Sequence, residues 1–128
     1  MLKAVIIDDS TDARKALASE IEDNCAEIEL IGQADGVVSG AKIIKSLKPQ
    51  LVFLDIQMND GSGFDLLEVI GNIDFKIIFT TASDAYAVKA FKYSAVDYLL
   101  KPIIPEELIS AVKKAESGSQ KENLGFLM

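Results

Sequence analysis

Short hydrophobic runs alternate with longer amphipathic stretches as far as residue 115. The short runs are rich in β-branched residues, which favours strands, and they occupy residues 3–8, 28–33, 51–55, 76–80 and 96–100. Several are continuously apolar, as expected of parallel strands that are buried on both faces. The run at 28–33 is more mixed, which is typical of an edge strand.

The stretches between the runs have the periodicity of amphipathic helices. In the first, Ala13, Leu17 and Ile21 recur at a spacing of four, and Ser10 or Thr11 can cap its start. The same pattern predicts four more helices, over residues 36–47, 63–70, 84–92 and 105–115. This alternation predicts an α/β fold: a doubly wound, five-stranded parallel sheet with five helices on its two faces.

Polar residues follow the predicted strands at the points where they end. Asp8 and Asp9 close the first run, and Asp55 closes the third. Each acid alone could be a helix cap or an ordinary strand-end residue. In a parallel sheet, however, all three would meet at the carboxyl edge, where ligands of such folds bind. Crowded carboxylates need positive charge, and oxygen ligands favour Mg²⁺.

Two further strand ends supply a hydroxyl and an ammonium group. Thr80 and Thr81 end the fourth run, and Lys101 follows the fifth. Because side chains alternate along a strand, only one of the two threonines faces the site. Acids, a hydroxyl and a lysine at one edge predict a site that handles a phosphoryl group.

Composition narrows the possible functions. The chain has 128 residues, which suits one domain, and its net charge of −7 argues against direct binding to nucleic acid or anionic membranes. No apolar stretch approaches the roughly 20 residues of a membrane span. The absence of histidine excludes phosphohistidine on this chain. The single cysteine, Cys25, fits a reducing cytosol and is expected to be a buried thiol.

Taken together and in this order, the motifs resemble the receiver domain of two-component response regulators. The resemblance covers residues 3–115 and rests on Ile7-Asp8-Asp9, Leu54-Asp55-Ile56-Gln57-Met58, Gly63, Thr81-Ala82 and Asp97-Tyr98-Leu99-Leu100-Lys101-Pro102. It implies a flavodoxin-like fold with strand order 2-1-3-4-5. It also implies a receiver domain over residues 1–116.

The resemblance implies that Asp55 accepts the phosphoryl group. One Mg²⁺ would be bound directly by Asp9, Asp55 and the backbone carbonyl of Gln57, and through water by Asp8. Lys101 would pair with the phosphoryl group.

The remaining implied roles concern switching and phosphate lifetime. Thr81 would donate a hydrogen bond to the phosphoryl group, and the adjacent Ala82 favours it over Thr80. Tyr98 would turn inward as the switch, although it could also be a plain core or surface aromatic. Gln57 and Ser83 would tune hydrolysis. A cis peptide bond between Lys101 and Pro102 would aim the lysine into the site.

One departure from the family pattern concerns the loop after Asp55. Where the family commonly has proline, four residues after the acceptor, this chain has Asn59, followed by Asp60-Gly61-Ser62-Gly63. These residues favour turns. They predict a loop that is more flexible than usual, and Asp60 adds negative charge near the site.

Residues 81–91 and 95–102 are similar to receivers of the LytTR family. This implies a cytoplasmic phospho-acceptor, not an enzyme with a separate substrate, that takes its phosphoryl group from a sensor histidine kinase. Residues 117–128 would be a linker or tail toward a C-terminal output domain, through which alone the protein would bind DNA. The face of the fourth helix, fifth strand and fifth helix would control that domain, and phosphorylation would promote homodimers.

Two alternatives stay open. One is a stand-alone receiver that docks on other proteins, with residues 117–128 as its tail. The other is an Mg²⁺-dependent phosphohydrolase with an aspartate nucleophile. Such enzymes usually need a second acid two residues after the nucleophile, where this chain has Gln57.

Overall fold

Five parallel strands form one sheet in the computed structural model, which describes the backbone of residues 1–127 and the side chains of residues 1–117. The strands are β1 (Leu2–Ile7), β2 (Ile28–Ala34), β3 (Leu51–Asp55), β4 (Lys76–Thr81) and β5 (Asp97–Leu100). Their order across the sheet is β2-β1-β3-β4-β5, which confirms the predicted topology. The mixed run at 28–33 does lie at an edge of the sheet.

Five helices connect and follow the strands. They are α1 (Thr11–Asn24), α2 (Val37–Leu47), α3 (Gly63–Ile70), α4 (Ala87–Lys92) and α5 (Pro105–Leu127). Ser10 caps α1, since its side chain accepts a hydrogen bond from the Ala13 N–H. A 3₁₀ turn, Asp84–Tyr86, precedes α4 where the sequence predicts one continuous helix over 84–92.

The last helix is longer than the sequence predicts. Its helical backbone continues past residue 115 to Leu127, through the segment that the sequence predicts to be a linker or tail. Met128 and the side chains after residue 117 lie outside the described residues. That residues 117–128 lead to an output domain therefore stays a prediction.

Hydrophobic side chains cover both faces of the sheet, as strand alternation requires. Val5, Ile7 and Leu54 belong to the layer that packs against α2 and α3. Ile6 and Phe53 belong to the layer that packs against α1 and α5. With both faces buried, the carboxyl edge is left as the place where polar side chains can gather.

Among the described residues, no helix combines the length and the apolar character that crossing a membrane requires.

Candidate functional site

Asp8, Asp9 and Asp55 lie together at the carboxyl edge of the sheet. Ile7 at the end of β1 pairs with Leu54 of β3, so the residues that follow them are neighbours. One carboxylate oxygen from each acid lies within 4.8 Å of the others. Asp8 and Asp55 are buried, whereas Asp9 is half-buried. The strand-end pattern in the sequence therefore corresponds to one cluster in space.

Lys101 provides the positive charge that the buried acids need. Its Nζ lies 2.7 Å from Asp8 Oδ2 and 3.4 Å from Asp55 Oδ2. The Lys101–Pro102 peptide bond is cis, as the family resemblance implies. Burial alone would lower the pKa of Lys101, but its hydrogen bond to Asp8 and the charges of both acids outweigh burial and raise that pKa.

The ionisation of Asp55 is perturbed by its buried position. Burial, together with the negative charge of Asp8, raises its pKa from 3.8 to about 6, although Lys101 opposes this shift. The Gln57 N–H lies 3.4 Å from Asp55 Oδ1 and favours the ionised form only weakly. Additional positive charge at the site would therefore favour the ionised form of Asp55.

The donor atoms of the acidic cluster fit a hard divalent cation. All three side chains offer oxygen, and Mg²⁺ binds oxygen at about 2.0–2.1 Å, so ligands on opposite sides of one ion are about 4.2 Å apart. One carboxylate oxygen each from Asp8, Asp9 and Asp55 lies within 4.8 Å of the other two, so the three acids could contribute ligands to one cation, directly or through water.

The two candidate hydroxyls at the end of β4 are both buried, and their surroundings differ. The Thr81 hydroxyl accepts a hydrogen bond from the Ser83 N–H at 3.3 Å, so its own hydrogen remains available to donate. Thr80 instead lines a cavity of about 350 Å³ beside α1, together with Asp8 and Lys101. The role of Thr81 toward a phosphoryl group stays a prediction.

Tyr98 on β5 is half-buried and packs against the hydrophobic layer that contains Phe79 and Ala90. Its hydroxyl donates a hydrogen bond to the backbone carbonyl of Ser83, in the loop that follows Thr81. Burial is the main cause that raises the pKa of Tyr98. The side chain thus connects β5 with the loop after β4, the connection that the predicted switch would need.

The loop after Asp55, which the sequence predicts to be flexible, forms specific hydrogen bonds in the structure. Gln57–Met58 and Gly61–Ser62 pair as a short antiparallel hairpin. The carboxylate of Asp60 accepts hydrogen bonds from the N–H groups of Val37 and Val38, at 2.8 and 3.2 Å. These bonds lower the pKa of Asp60. Its negative charge thus faces the N-terminus of α2, which favours an anion there.

Gly63 lets α3 begin directly against the end of β3. A Cβ atom at this position would lie 2.6 Å from the backbone carbonyl oxygen of Asp55, closer than side chains tolerate. The Gly63 N–H also donates to the Ile56 carbonyl at 2.9 Å. The sequence marks this glycine by resemblance alone, and the structure gives the steric reason for it.

Sequence patterns did not indicate two contacts near the site. Asp60 accepts hydrogen bonds from residues of α2 that lie 22 and 23 positions away in the sequence. The Gln57 side-chain amide donates to the Tyr86 hydroxyl at 2.9 Å, and these two residues are 29 positions apart. Neither pairing has a local sequence signal, because each depends on how two loops meet above the sheet.

The strand order, and the acidic edge with its lysine, are those that the resemblance to receiver domains implies. The model of the response regulator receiver domain matches residues 4–113 of this chain. The chain therefore belongs to the response regulator receiver domain family.

Curated relatives and solved structures agree with this family. The chain is 37% identical over 124 residues to sensory transduction protein LytT of Bacillus anthracis, covering 95% of this chain and 50% of that protein. It is 37% identical over 131 residues to transcriptional regulatory protein BtsR of Escherichia coli K12, covering 99% of this chain and 53% of that protein. These relatives support the predicted LytTR resemblance.

Among solved structures, the response regulatory domain of mrkE from Klebsiella pneumoniae superimposes with a TM-score of 0.83 at 28% identity, covering 94% of this chain and 99% of that one. The chain spans about half the length of the curated relatives it matches.

Proposed function

We propose that this chain is the phospho-accepting receiver of a two-component response regulator and that Asp55 is the acceptor. The observation that carries the proposal is the buried Asp55 carboxylate, clustered with two further acids and 3.4 Å from Lys101. A carboxylate is a weak nucleophile, so positioning and charge neutralisation must supply most of the catalysis.

In the proposed reaction, a carboxylate oxygen of Asp55 attacks the phosphorus of a phosphohistidine on a sensor kinase. A phosphorus–oxygen bond forms while the phosphorus–nitrogen bond breaks, and the nitrogen keeps the electron pair. Lys101 offers an ammonium to the transferred group, and Thr81 offers its hydroxyl hydrogen. Water later cleaves the acyl phosphate, which returns the Asp55 carboxylate and inorganic phosphate.

Asp9, Asp55 and the Gln57 carbonyl would hold one Mg²⁺, with Asp8 acting through water. When bound, the cation supplies positive charge to the phosphoryl oxygens and the acids. The all-oxygen cluster supports this assignment. Gln57 and Ser83 stand two residues after Asp55 and Thr81, where they would tune hydrolysis.

The proposed output is transcriptional control through a LytTR-type DNA-binding domain beyond residue 128, in a cytoplasmic protein. The similarity to transcriptional regulatory protein BtsR, over about half of its length, supports this output. Tyr98 connects the site to the face of α4, β5 and α5, which would control that domain and form phosphorylation-promoted dimers. The alternative is a stand-alone receiver that acts by docking on other proteins.

Incubation with acetyl phosphate, followed by intact-mass spectrometry, tests the proposal. The expected result is one added phosphoryl group in the presence of Mg²⁺ and none with EDTA or in Asp55→Asn. The exposed Asp35→Asn variant is the control and should be labelled like wild type. Labelled Asp55→Asn would contradict the proposal, and sustained turnover of p-nitrophenyl phosphate would favour the phosphohydrolase alternative.

A further inference from the structure

Gln57 and Tyr86 join the two loops that flank the proposed acceptor. Asp55 of β3 pairs in register with Thr80 of β4, so the loops that follow these strands leave the sheet side by side. The Gln57 Nε2 donates to the Tyr86 hydroxyl oxygen at 2.9 Å. This bond joins the two loops, and the backbone N–H of the same Gln57 lies 3.4 Å from Asp55 Oδ1.

The Tyr86 ring is held in place by packing. It lies against Phe64, with ring centroids 6.3 Å apart, and Phe64 is buried and also packs on Phe79 and Tyr93. Tyr86 ends a 3₁₀ turn whose start is capped by the Ser83 side chain. The hydroxyl is therefore at a fixed position, whereas the Gln57 side chain that it meets is exposed and has no comparable packing.

We propose that Tyr86 is a positioning residue for dephosphorylation. Its hydroxyl holds the Gln57 amide beside the phosphoryl group, where the amide limits the approach of water to phosphorus. This inference rests on the proposed function. In the step that is limited, a water oxygen bonds to phosphorus as the bond between phosphorus and the Asp55 oxygen breaks. Asp55 leaves as a carboxylate, and the water proton passes to solvent. Without the Tyr86 hydroxyl, the Gln57 side chain is no longer held in this position, and water reaches phosphorus more often.

The test measures the loss of the phosphoryl group after labelling with acetyl phosphate and Mg²⁺ and rapid removal of the donor. Intact mass is followed over time for wild type, Tyr86→Phe, Gln57→Ala and the double variant. Tyr93→Phe is the matched control, because its ring packs on the same Phe64 and is not bonded to Gln57.

Tyr86→Phe and Gln57→Ala should each lose phosphate about three- to tenfold faster than wild type, the factor that corresponds to one ordinary hydrogen bond. The double variant should be no faster than either single variant, since both remove the same contact. Tyr93→Phe should match wild type. In amide correlation spectra, the Gln57 side-chain signals, assigned by their loss in Gln57→Ala, should move in Tyr86→Phe and stay in place in Tyr93→Phe.

Each contrary result identifies what has failed. Wild-type chain that takes up no phosphoryl group overturns the proposed function and this inference with it. Labelled wild type with an unchanged lifetime in Tyr86→Phe overturns the inference alone. Equal acceleration in Tyr93→Phe, or additive effects in the double variant, also overturns it, because loosened packing would then explain the rates.

Discussion

The Lys101 ammonium lies 2.7 Å from Asp8 Oδ2, closer than its 3.4 Å contact with the proposed acceptor, Asp55. Asp8 thus holds the lysine beside Asp55. Lys101 forms salt bridges with Asp8 and Asp55, so its single ammonium can neutralise at most one of the three clustered carboxylates when all are ionised. The remaining negative charge favours the binding of a cation.

Lys101→Ala should destabilise the metal-free protein by about 1–3 kcal/mol, because two buried carboxylates lose a charged hydrogen-bond partner. Mg²⁺ should then stabilise the variant more than it stabilises wild type, since the cation replaces the lost charge. Denaturant unfolding with Mg²⁺ and with EDTA measures both effects. Lys114→Ala, which removes an exposed ion pair with Asp97, is the control and should change little. An equal effect of Mg²⁺ on wild type and Lys101→Ala would contradict this interpretation.

Asp55→Asn should stabilise the metal-free protein at pH 7 by about 1–3 kcal/mol, because the ionised acid is disfavoured in its buried site. The folded-state pKa of about 6 lies above the ordinary 3.8, so the folded state binds more protons between these values. Wild type should lose stability as pH rises from 4 to 7, whereas the variant should lack this component. Denaturant unfolding in EDTA from pH 4 to 7 measures this component. If the stability of wild type and Asp55→Asn changed with pH in the same way, the raised pKa of Asp55 would be refuted.

Asp60→Ala should lower the midpoint of thermal unfolding, because two N–H groups at the start of α2 lose their acceptor. The lowered pKa of Asp60 means that its contribution is present above about pH 4 and lost as pH falls through the folded-state value. The wild-type advantage over the variant should therefore shrink in acid. Exposed Asp74→Ala is the control. A midpoint equal to that of wild type at pH 7 would show that the loop does not depend on Asp60.

Phe91→Ser should prevent phosphorylation-promoted dimers without changing phosphoryl uptake. Val88 and Phe91 are 76% and 84% exposed and lie three residues apart, on one side of α4, so they form an apolar patch on the proposed output face. Light scattering after labelling with acetyl phosphate measures the association. Val69→Ser changes an exposed residue of α3, away from that face, and should still dimerise. Dimers of labelled Phe91→Ser would place the interface elsewhere.

The acidic cluster could be predicted from the sequence because parallel strands bring their carboxyl ends to one edge. Asp8 and Asp55 each follow a continuous hydrophobic run, and no finer geometry is needed to bring them together. The helix faces follow in the same way from the spacing of residues such as Leu17 and Ile21, which are buried.

The contacts made by the loops could not be predicted, because they depend on packing between distant segments. Asn59 and Asp60 favour a turn locally, but the hydrogen bonds of Asp60 depend on the position of α2, which supplies the N–H donors. Likewise, Tyr86 packs on Phe64 and bonds to Gln57, and both partners are distant from it in the sequence. The length of α5 also exceeds the prediction, since the hydrophobic pattern ends at residue 115 while the helical backbone continues.

Borohydride trapping tests most directly whether Asp55 is the acceptor. Borohydride reduces an acyl phosphate to an alcohol, so the phosphorylated aspartate becomes homoserine, which peptide mass mapping can locate. After labelling with acetyl phosphate and Mg²⁺, we expect homoserine at position 55 in wild type and at no position in Asp55→Asn. Homoserine at position 8 or 9, or at any position in Asp55→Asn, would contradict it.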